Sequence, residues 1–197
     1  MSKLAEFQKR LRPGKAYRRA ELSKWSLAVD RHIQASVRDG KLKKLAGGLY
    51  YAPKQTAFGA APPKDETLVS TFLKGDPFLL ASPNAYNALG VGTTQLHNRT
   101  FVYNHKRHGK FALGGRQFEF RVKPRFPSKL SREFLLVDLV NNLDQLGEDP
   151  DHTLTQVKNV ARSSPPAKLE RAARDYGLVR TRKFFSQVLN EDLTSHA

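Results

Sequence analysis

The 197-residue chain contains no cysteine, one methionine and one tryptophan. Without cysteine there is no thiol nucleophile, no cysteine zinc site and no disulfide, which fits a reducing cytosol. No apolar run approaches the roughly 18 residues a membrane span requires, and the N-terminus is polar. The expected location is therefore the cytoplasm, with no membrane partner. HExxH, P-loop and paired-acid nucleotidyltransferase motifs are all missing, so the chain is not expected to be an enzyme or to carry a metal or cofactor. No internal repeat is evident. Acids are scarce too, with 18 Asp and Glu against 34 Lys and Arg and a net charge of +16.

The positive charge is unevenly spread. Residues 1–54 hold 14 basic and 4 acidic side chains, more than half of the net charge in little over a quarter of the length. Such an excess fits counterion-releasing contact with a polyanion. Charge alone does not separate DNA from RNA or from an acidic membrane surface.

Within that basic region, Arg18 to Pro53 reads as the second half of a winged helix-turn-helix. A first helix, Lys3 to Leu11, places Leu4, Phe7 and Leu11 at helical spacing and ends at Pro13-Gly14. Arg19 to Trp25 forms a short second helix. Ser26 is placed to cap a third, running to about Asp39 and stopped by Gly40. A basic strand, Lys41 to Leu45, the tight pair Gly47-Gly48 and an apolar strand, Leu49 to Ala52, complete a two-stranded wing.

At about 100° per residue, the third helix is expected to bury Val29, Ile33 and Val37, with Ser26 and Ser36 beside them. Its opposite side then carries Leu27, Arg31, Gln34 and Arg38 in one stripe. In a major groove Arg31 has the geometry for guanine O6 and N7, Gln34 for adenine N6 and N7, and Leu27 for a thymine methyl. Phosphate contacts are expected from Tyr17, Arg18, Arg19 and Ser26 and, on the wing, from Lys43 and Lys44. Tyr17 is equally suited to closing the core, and Trp25 reads as packing at a helix junction. A solvated basic helix beside an ordinary hairpin, or a winged helix that binds protein, has the same spacing.

The segment Pro53 to Asp65, PKQTAFGAAPPKD, is rich in Pro, Gly and Ala and reads as a linker. It divides the chain into a DNA-binding domain, residues 1–60, and a mixed domain, residues 61–197. The second domain is expected to open with a helix, Glu66 to Leu73, a strand, Phe78 to Ala81, and a helix starting near Pro83. Strands Thr100 to Asn104, Lys110 to Leu113 and Gln117 to Lys123 follow, the last with Phe118, Phe120 and Val122 alternating against polar residues. From residue 129 the pattern turns helical: Leu130 to Leu146, Thr153 to Arg162, Ala167 to Tyr176 and Arg180 to Leu189. The fold class is α+β, a winged helix-turn-helix followed by a small antiparallel sheet and a C-terminal helical bundle.

Arg99 to Arg132 contains ten basic residues opposed by Glu119 alone. Lys106, Arg107, Lys110 and Arg116 there form a candidate second basic patch, for nucleic acid or for an acidic partner, or simply a solvated hairpin edge. His97, His105 and His108, with Asn98 and Asn104, invite comparison with a nuclease. No carboxylate lies among them to orient a histidine or bind a metal, which favours ordinary surface loops. Asp138 and Asp144 share one predicted helix, point to different faces and read as solvated acids.

Several segments resemble a known family. GGLYYAPK followed by FGAAPPKDE is similar to the AbiEi-type antitoxins of type IV toxin–antitoxin systems. In SPNAYNALGVGTTQLHNRTFVYN the elements Asn84, Asn87-Ala88-Leu89-Gly90 and Thr94-Gln95, with the strand after them, also resemble that family, as does the hairpin FALGGRQFEFR. The likeness spans roughly residues 15 to 125. It implies a bacterial winged-helix repressor that binds double-stranded DNA at an operator with repeated half-sites. It further implies control of the repressor's own operon and neutralisation of a cognate nucleotidyltransferase-like toxin. The alternatives are a solitary winged-helix regulator without a toxin and an enzyme acting on nucleic acid.

Overall fold

A computed structural model describes residues 2–91, 99–147 and 149–195, without the side chains of 192–195. The class is α+β, with small antiparallel sheets and a helical C-terminal region. The chain forms two units, and neither is continuous: Met1–Pro77 groups with Gly109–Phe118, and Phe78–His108 groups with Glu119–Ala197.

The first unit begins with α1 (Lys3–Lys9), capped by the Ser2 hydroxyl, which accepts from the Ala5 amide. After β1 (Ala16–Arg18) come α2 (Arg19–Leu22), which runs on as a 3-10 turn, Ser23–Trp25, and α3 (Val29–Arg38). Then β2 (Lys43–Ala46) and β3 (Leu49–Tyr51) follow, in a sheet ordered β1-β3-β2. Sequence patterning misses β1, because three residues are too few to show alternation. Its pairing is nevertheless specific, with Tyr17 opposite Tyr50 and Tyr50 opposite Lys44.

The core of this unit is Phe7, Tyr17, Leu22, Val29, Ile33, Leu42 and Ala52, with Trp25 edge-on to both Phe7 and Tyr17 at 5.9 and 5.4 Å. One helical layer and one sheet face thus close over a single aromatic cluster, the arrangement that holds α3 in place.

The expected linker is not a linker. Lys54–Thr56 forms β4 and Gly59–Ala61 forms β5, paired antiparallel as a hairpin that leads into α4 (Asp65–Phe72). Small residues such as Ala57, Gly59, Ala60 and Ala61 give no hydrophobic periodicity, so the backbone pairing leaves no trace in the sequence pattern. The first unit continues through Pro77 instead of ending at residue 60.

It also takes in the tip formed by β8 (Gly109–Leu113) and the start of β9 (Arg116–Val122). The two-residue turn Gly114-Gly115 has positive φ at both positions, 59° and 80°, as a primed hairpin turn requires. Gly114 is constrained a second time: its amide donates to the Leu45 carbonyl, and a Cβ there would lie 3.2 Å from Leu45.

In the second unit β6 (Phe78–Ala81) pairs antiparallel with β7 (Thr100–Asn104), and α5 (Asn84–Asn87) follows β6. β9 runs into this unit from Glu119 and lies beside β7. The four expected helices are present as α6 (Arg132–Asn141), α7 (Pro150–Arg162), α8 (Pro166–Tyr176) and α9 (Val179–Ser195). α6 ends earlier than its apolar run suggests and continues as a 3-10 turn, Leu143–Gln145.

Every residue of α6 from Phe134 to Asn141 is buried, which makes it the central helix of the unit. Around it pack Val157, Ala161, Leu169, Ala173, Phe185 and Val188 of the other three. Asp149 caps α7 by accepting from the Asp151 and His152 amides, with Pro150 at the first helical position.

Candidate nucleic-acid interface

α3 buries Val29, His32, Ile33 and Ser36 and exposes Arg31, Gln34, Val37 and Arg38. The expected inward position of Val37 is thereby corrected. The buried side centres on Val29, His32, Ile33 and Ser36, with the His32 ring 5.5 Å from that of Phe7, and Val37, about 90° round the helix from that centre, faces solvent. Among the described residues nothing pairs with the Arg31 guanidinium or the Gln34 amide, while Arg38 lies 3.7 Å from Asp39. Leu27 precedes the helix in the turn after Ser26 and is fully exposed. Leu27, Arg31, Gln34 and Arg38 are all solvent-facing on one elongated surface.

The helix starts later than expected. Its N-cap position is Ala28, without a side-chain cap, and the Ser26 hydroxyl instead accepts from the Ala28 amide at 3.0 Å, closing the turn before it. Ser26 is half-buried, with that oxygen already engaged. Gly40, at φ 69°, ends the helix, its amide bonded to the Val37 carbonyl.

Three of the residues expected at phosphates have other partners. Tyr17 is buried and its hydroxyl accepts from the Arg12 amide at 2.8 Å, so it belongs to the core and not to the surface. The Arg18 guanidinium donates to the Thr71 and Phe72 carbonyls, satisfying the C-terminal end of α4. Arg19 holds Asp30 with both edges of its guanidinium, Nε to Oδ1 at 2.7 Å and Nη2 to Oδ2 at 2.6 Å. That hydrogen bonding lowers the Asp30 carboxyl below its usual range and raises Arg19. The acid beside the stripe on α3 is therefore neutralised from α2.

Lys43 and Lys44 are both exposed, on opposite faces of the edge strand β2. Lys44 shares its face with Tyr50 and Tyr17, the side on which the helices pack. Lys43 lies opposite Tyr51 on the other face, and the strand is irregular at Leu45, which with Leu68 of α4 approaches Gly114. Of the two wing lysines, Lys44 is the one on the side of the sheet that faces the helices. Composition did not mark two further cations: Lys3 and Arg10 of the α1 segment line a shallow cleft with Leu27, Arg31 and Glu6.

The second basic patch divides. Lys106 and Arg107 belong to the second unit, whereas Lys110 and Arg116 belong to the first. Arg116 is already committed to the Asp65 carboxylate and the Pro63 carbonyl, anchoring the start of α4.

His97 and Asn98 lie outside the described residues. His105 stacks on Phe126 and its Nδ1 is 3.0 Å from the Lys123 carbonyl oxygen, while His108 is exposed. Asn104 is buried and holds the following turn, its Oδ1 accepting from the Lys106 and Arg107 amides. Among the described residues no three His, Asp or Glu side chains gather as a metal site would need. No helix among them is long and apolar enough to cross a membrane.

Asp138 corrects the expectation of a solvated acid. It is fully buried on α6, where one oxygen accepts from the Tyr86 and Tyr103 hydroxyls at 2.8 and 2.7 Å and the other from Lys123 Nζ at 2.8 Å. The Lys123 ammonium also sits over the Tyr103 ring, 3.9 Å from its centroid. Burial, and then the Asp138 charge, push both phenols up from their ordinary value. Asp144 does remain at the surface, paired with Arg180.

No family model matches this chain, and no curated protein matches it. Among solved structures it is similar to the RV2827C protein from Mycobacterium tuberculosis, with a TM-score of 0.58 and 15% identity over 96% of this chain and 75% of that one. At that identity the likeness is one of fold.

Proposed function

We propose that this chain is a sequence-specific DNA-binding repressor that also acts as the antitoxin of a type IV toxin–antitoxin system, working in the cytoplasm and controlling its own operon. The observation that carries the DNA-binding half is the solvent-facing set Leu27, Arg31, Gln34 and Arg38 around a helix whose other side is locked into an aromatic core. A helix fixed by its core and presenting Arg31 and Gln34 unpaired among the described residues is what major-groove reading needs. Lys44, Lys3 and Arg10 supply cations for the flanking phosphates. The reading requires no catalytic group.

The antitoxin half rests on the motif resemblance across roughly residues 15 to 125. Its partner would be a nucleotidyltransferase-like toxin encoded next to this chain.

Two assays test the two halves separately. Fluorescence anisotropy with duplex from the region upstream of the chain's own coding sequence should show binding that weakens as salt rises, with a log–log slope of about −0.9 per neutralised phosphate. A salt-independent or absent interaction sinks the DNA reading. Co-expression of the full chain with the neighbouring toxin should relieve growth arrest, and failure to do so removes the antitoxin half while leaving a DNA-binding regulator.

A further inference from the structure

The β4–β5 hairpin has no place in the reading above, although it is built into the same unit as α3. Its residues from Lys54 to Ala60 are exposed, and at its tip Phe58 is fully exposed, its ring packed against nothing. The tip is nonetheless ordered by its own bonds: the Thr56 hydroxyl donates to the Gly59 carbonyl at 2.8 Å and accepts from the Phe58 amide at 3.3 Å. Gly59, at φ 100°, makes that turn available only to glycine. A large apolar ring is therefore held out into water on a preformed turn.

The base of the hairpin fixes where it leaves the unit. Lys54 and Gln55 line one cleft with Asp39, Gly40 and Lys41, directly beyond the end of α3. The three extended residues Lys54–Thr56 then carry the Ala57-Phe58 turn about 10 Å from the base of the hairpin. A tip of that reach can fill a minor groove about 7.5 Å deep.

Charge selects the occupant. Residues 40–64 contain five lysines, Lys41, Lys43, Lys44, Lys54 and Lys64, and no acid. The strands offer no apolar face, because Lys54, Gln55 and Thr56 are all exposed and the returning strand is Gly59, Ala60 and Ala61. A protein-docking surface would need several anchors around Phe58, whereas a narrow, uncrowded ribbon free of acids, with Lys54 at its base and one terminal ring, matches a minor-groove wedge.

We propose that the β4–β5 hairpin is a second DNA arm, and that Phe58 inserts into the minor groove flanking the bases faced by α3. This inference rests on the DNA-binding reading of the first unit. It adds a wedge that partially unstacks one base step, and with it a preference for easily kinked pyrimidine–purine steps beside the site.

The test uses the full chain and a duplex that the wild-type chain selects from a random pool. Hydroxyl-radical cleavage reports the minor groove, and dimethyl sulfate methylation of guanine N7 reports the major groove. Wild type should protect both, the minor-groove protection lying to one side. Phe58→Ala should keep the N7 protection, lose the flanking minor-groove protection and bind about tenfold more weakly. Phe58→Leu, still an apolar wedge, should recover most of the footprint. Because the ring has no packing partner, both variants should melt as wild type does.

A chain that selects no duplex sinks this proposal together with the reading beneath it. Wild type that protects only the major groove, or Phe58→Ala with an unchanged footprint, overturns the hairpin arm alone. A change in sedimentation of Phe58→Ala without DNA would make the tip a contact between copies and would equally overturn it.

Discussion

Arg19 and Asp30 form a two-pronged ion pair, at 2.7 and 2.6 Å, that ties the start of α2 to the first turn of α3. Both side chains are substantially exposed, so the pair does little for overall stability. Its effect is local: the aromatic core holds α3 in place, and the pair tethers to α2 the first turn of the helix that carries Arg31 and Gln34.

Arg19→Ala should therefore leave the melting temperature nearly unchanged but weaken binding to a specific duplex more than to random DNA. The double variant Arg19→Asp with Asp30→Arg should restore the specific component if orientation is what matters. Because the Asp30 carboxyl is held low by Arg19, the tie is complete above the usual carboxylate value near 3.8 and is lost as the pH falls through the lower folded value. Titration of Asp30 followed by NMR should move up toward the ordinary range in Arg19→Ala.

Three single substitutions separate base reading from phosphate anchoring. Arg31→Ala should cost about 1 to 3 kcal/mol on the specific duplex and much less on random sequence. Lys44→Ala should weaken both alike and reduce the salt slope by about one unit. Lys43→Ala, on the opposite face of β2, should do much less than Lys44→Ala in the same anisotropy titration. Equal effects of the two lysines would show that strand face does not decide the contact.

Asp138 is the linchpin of a buried polar cluster in the second unit, so Asp138→Ala should be destabilising out of proportion to its size. It would strand the Lys123 charge and leave two buried hydroxyls without their acceptor, at a cost of about 3 to 5 kcal/mol in urea unfolding. Asp138→Asn should cost less, because the amide oxygen can still accept. A loss for Asp138→Ala no larger than that of an ordinary surface acid would mean that solvent reaches the cluster.

The two tyrosines in that cluster give the protein an alkaline limit. Their folded pKa values are raised by burial and by Asp138, so both stay neutral in the native state at pH values where the unfolded chain ionises. The unfolded value is near 10, hence this contribution is fully present below pH 10 and is lost as the pH rises toward the higher folded values. The urea midpoint should fall on that limb. In a Tyr86→Phe, Tyr103→Phe double variant, a shallower fall is expected; an unchanged slope would place the alkaline sensitivity elsewhere.

Much of the architecture is local and can be read along the chain. β6 and β7 begin and end where their apolar runs do, and α7 and α8 start at or beside prolines that can occupy only a first turn. The stripe Arg31, Gln34 and Arg38 is likewise a local property, since helical spacing alone brings those residues onto one side. Gly40, Gly114 and Gly115 mark their turns because no other residue adopts a positive φ so cheaply.

Tertiary structure decided what depends on partners distant in sequence. Tyr17 turned inward because β1 pairs with β3, thirty-odd residues on, and the pair faces Phe7 and Ile33. Arg18 and Arg19 lost their availability to α4 and to Asp30, and Asp138 became buried where Tyr86 of α5, Tyr103 of β7 and Lys123, just after β9, each bring it a donor. The hairpin from Lys54 to Ala61 appeared where composition suggested a linker, and the first unit recruited residues 109–118 from far along the chain. Periodicity records which side of an element is apolar; which charge is paired, which phenol is dry and which lysine is left free depend on atoms that only the folded chain brings together.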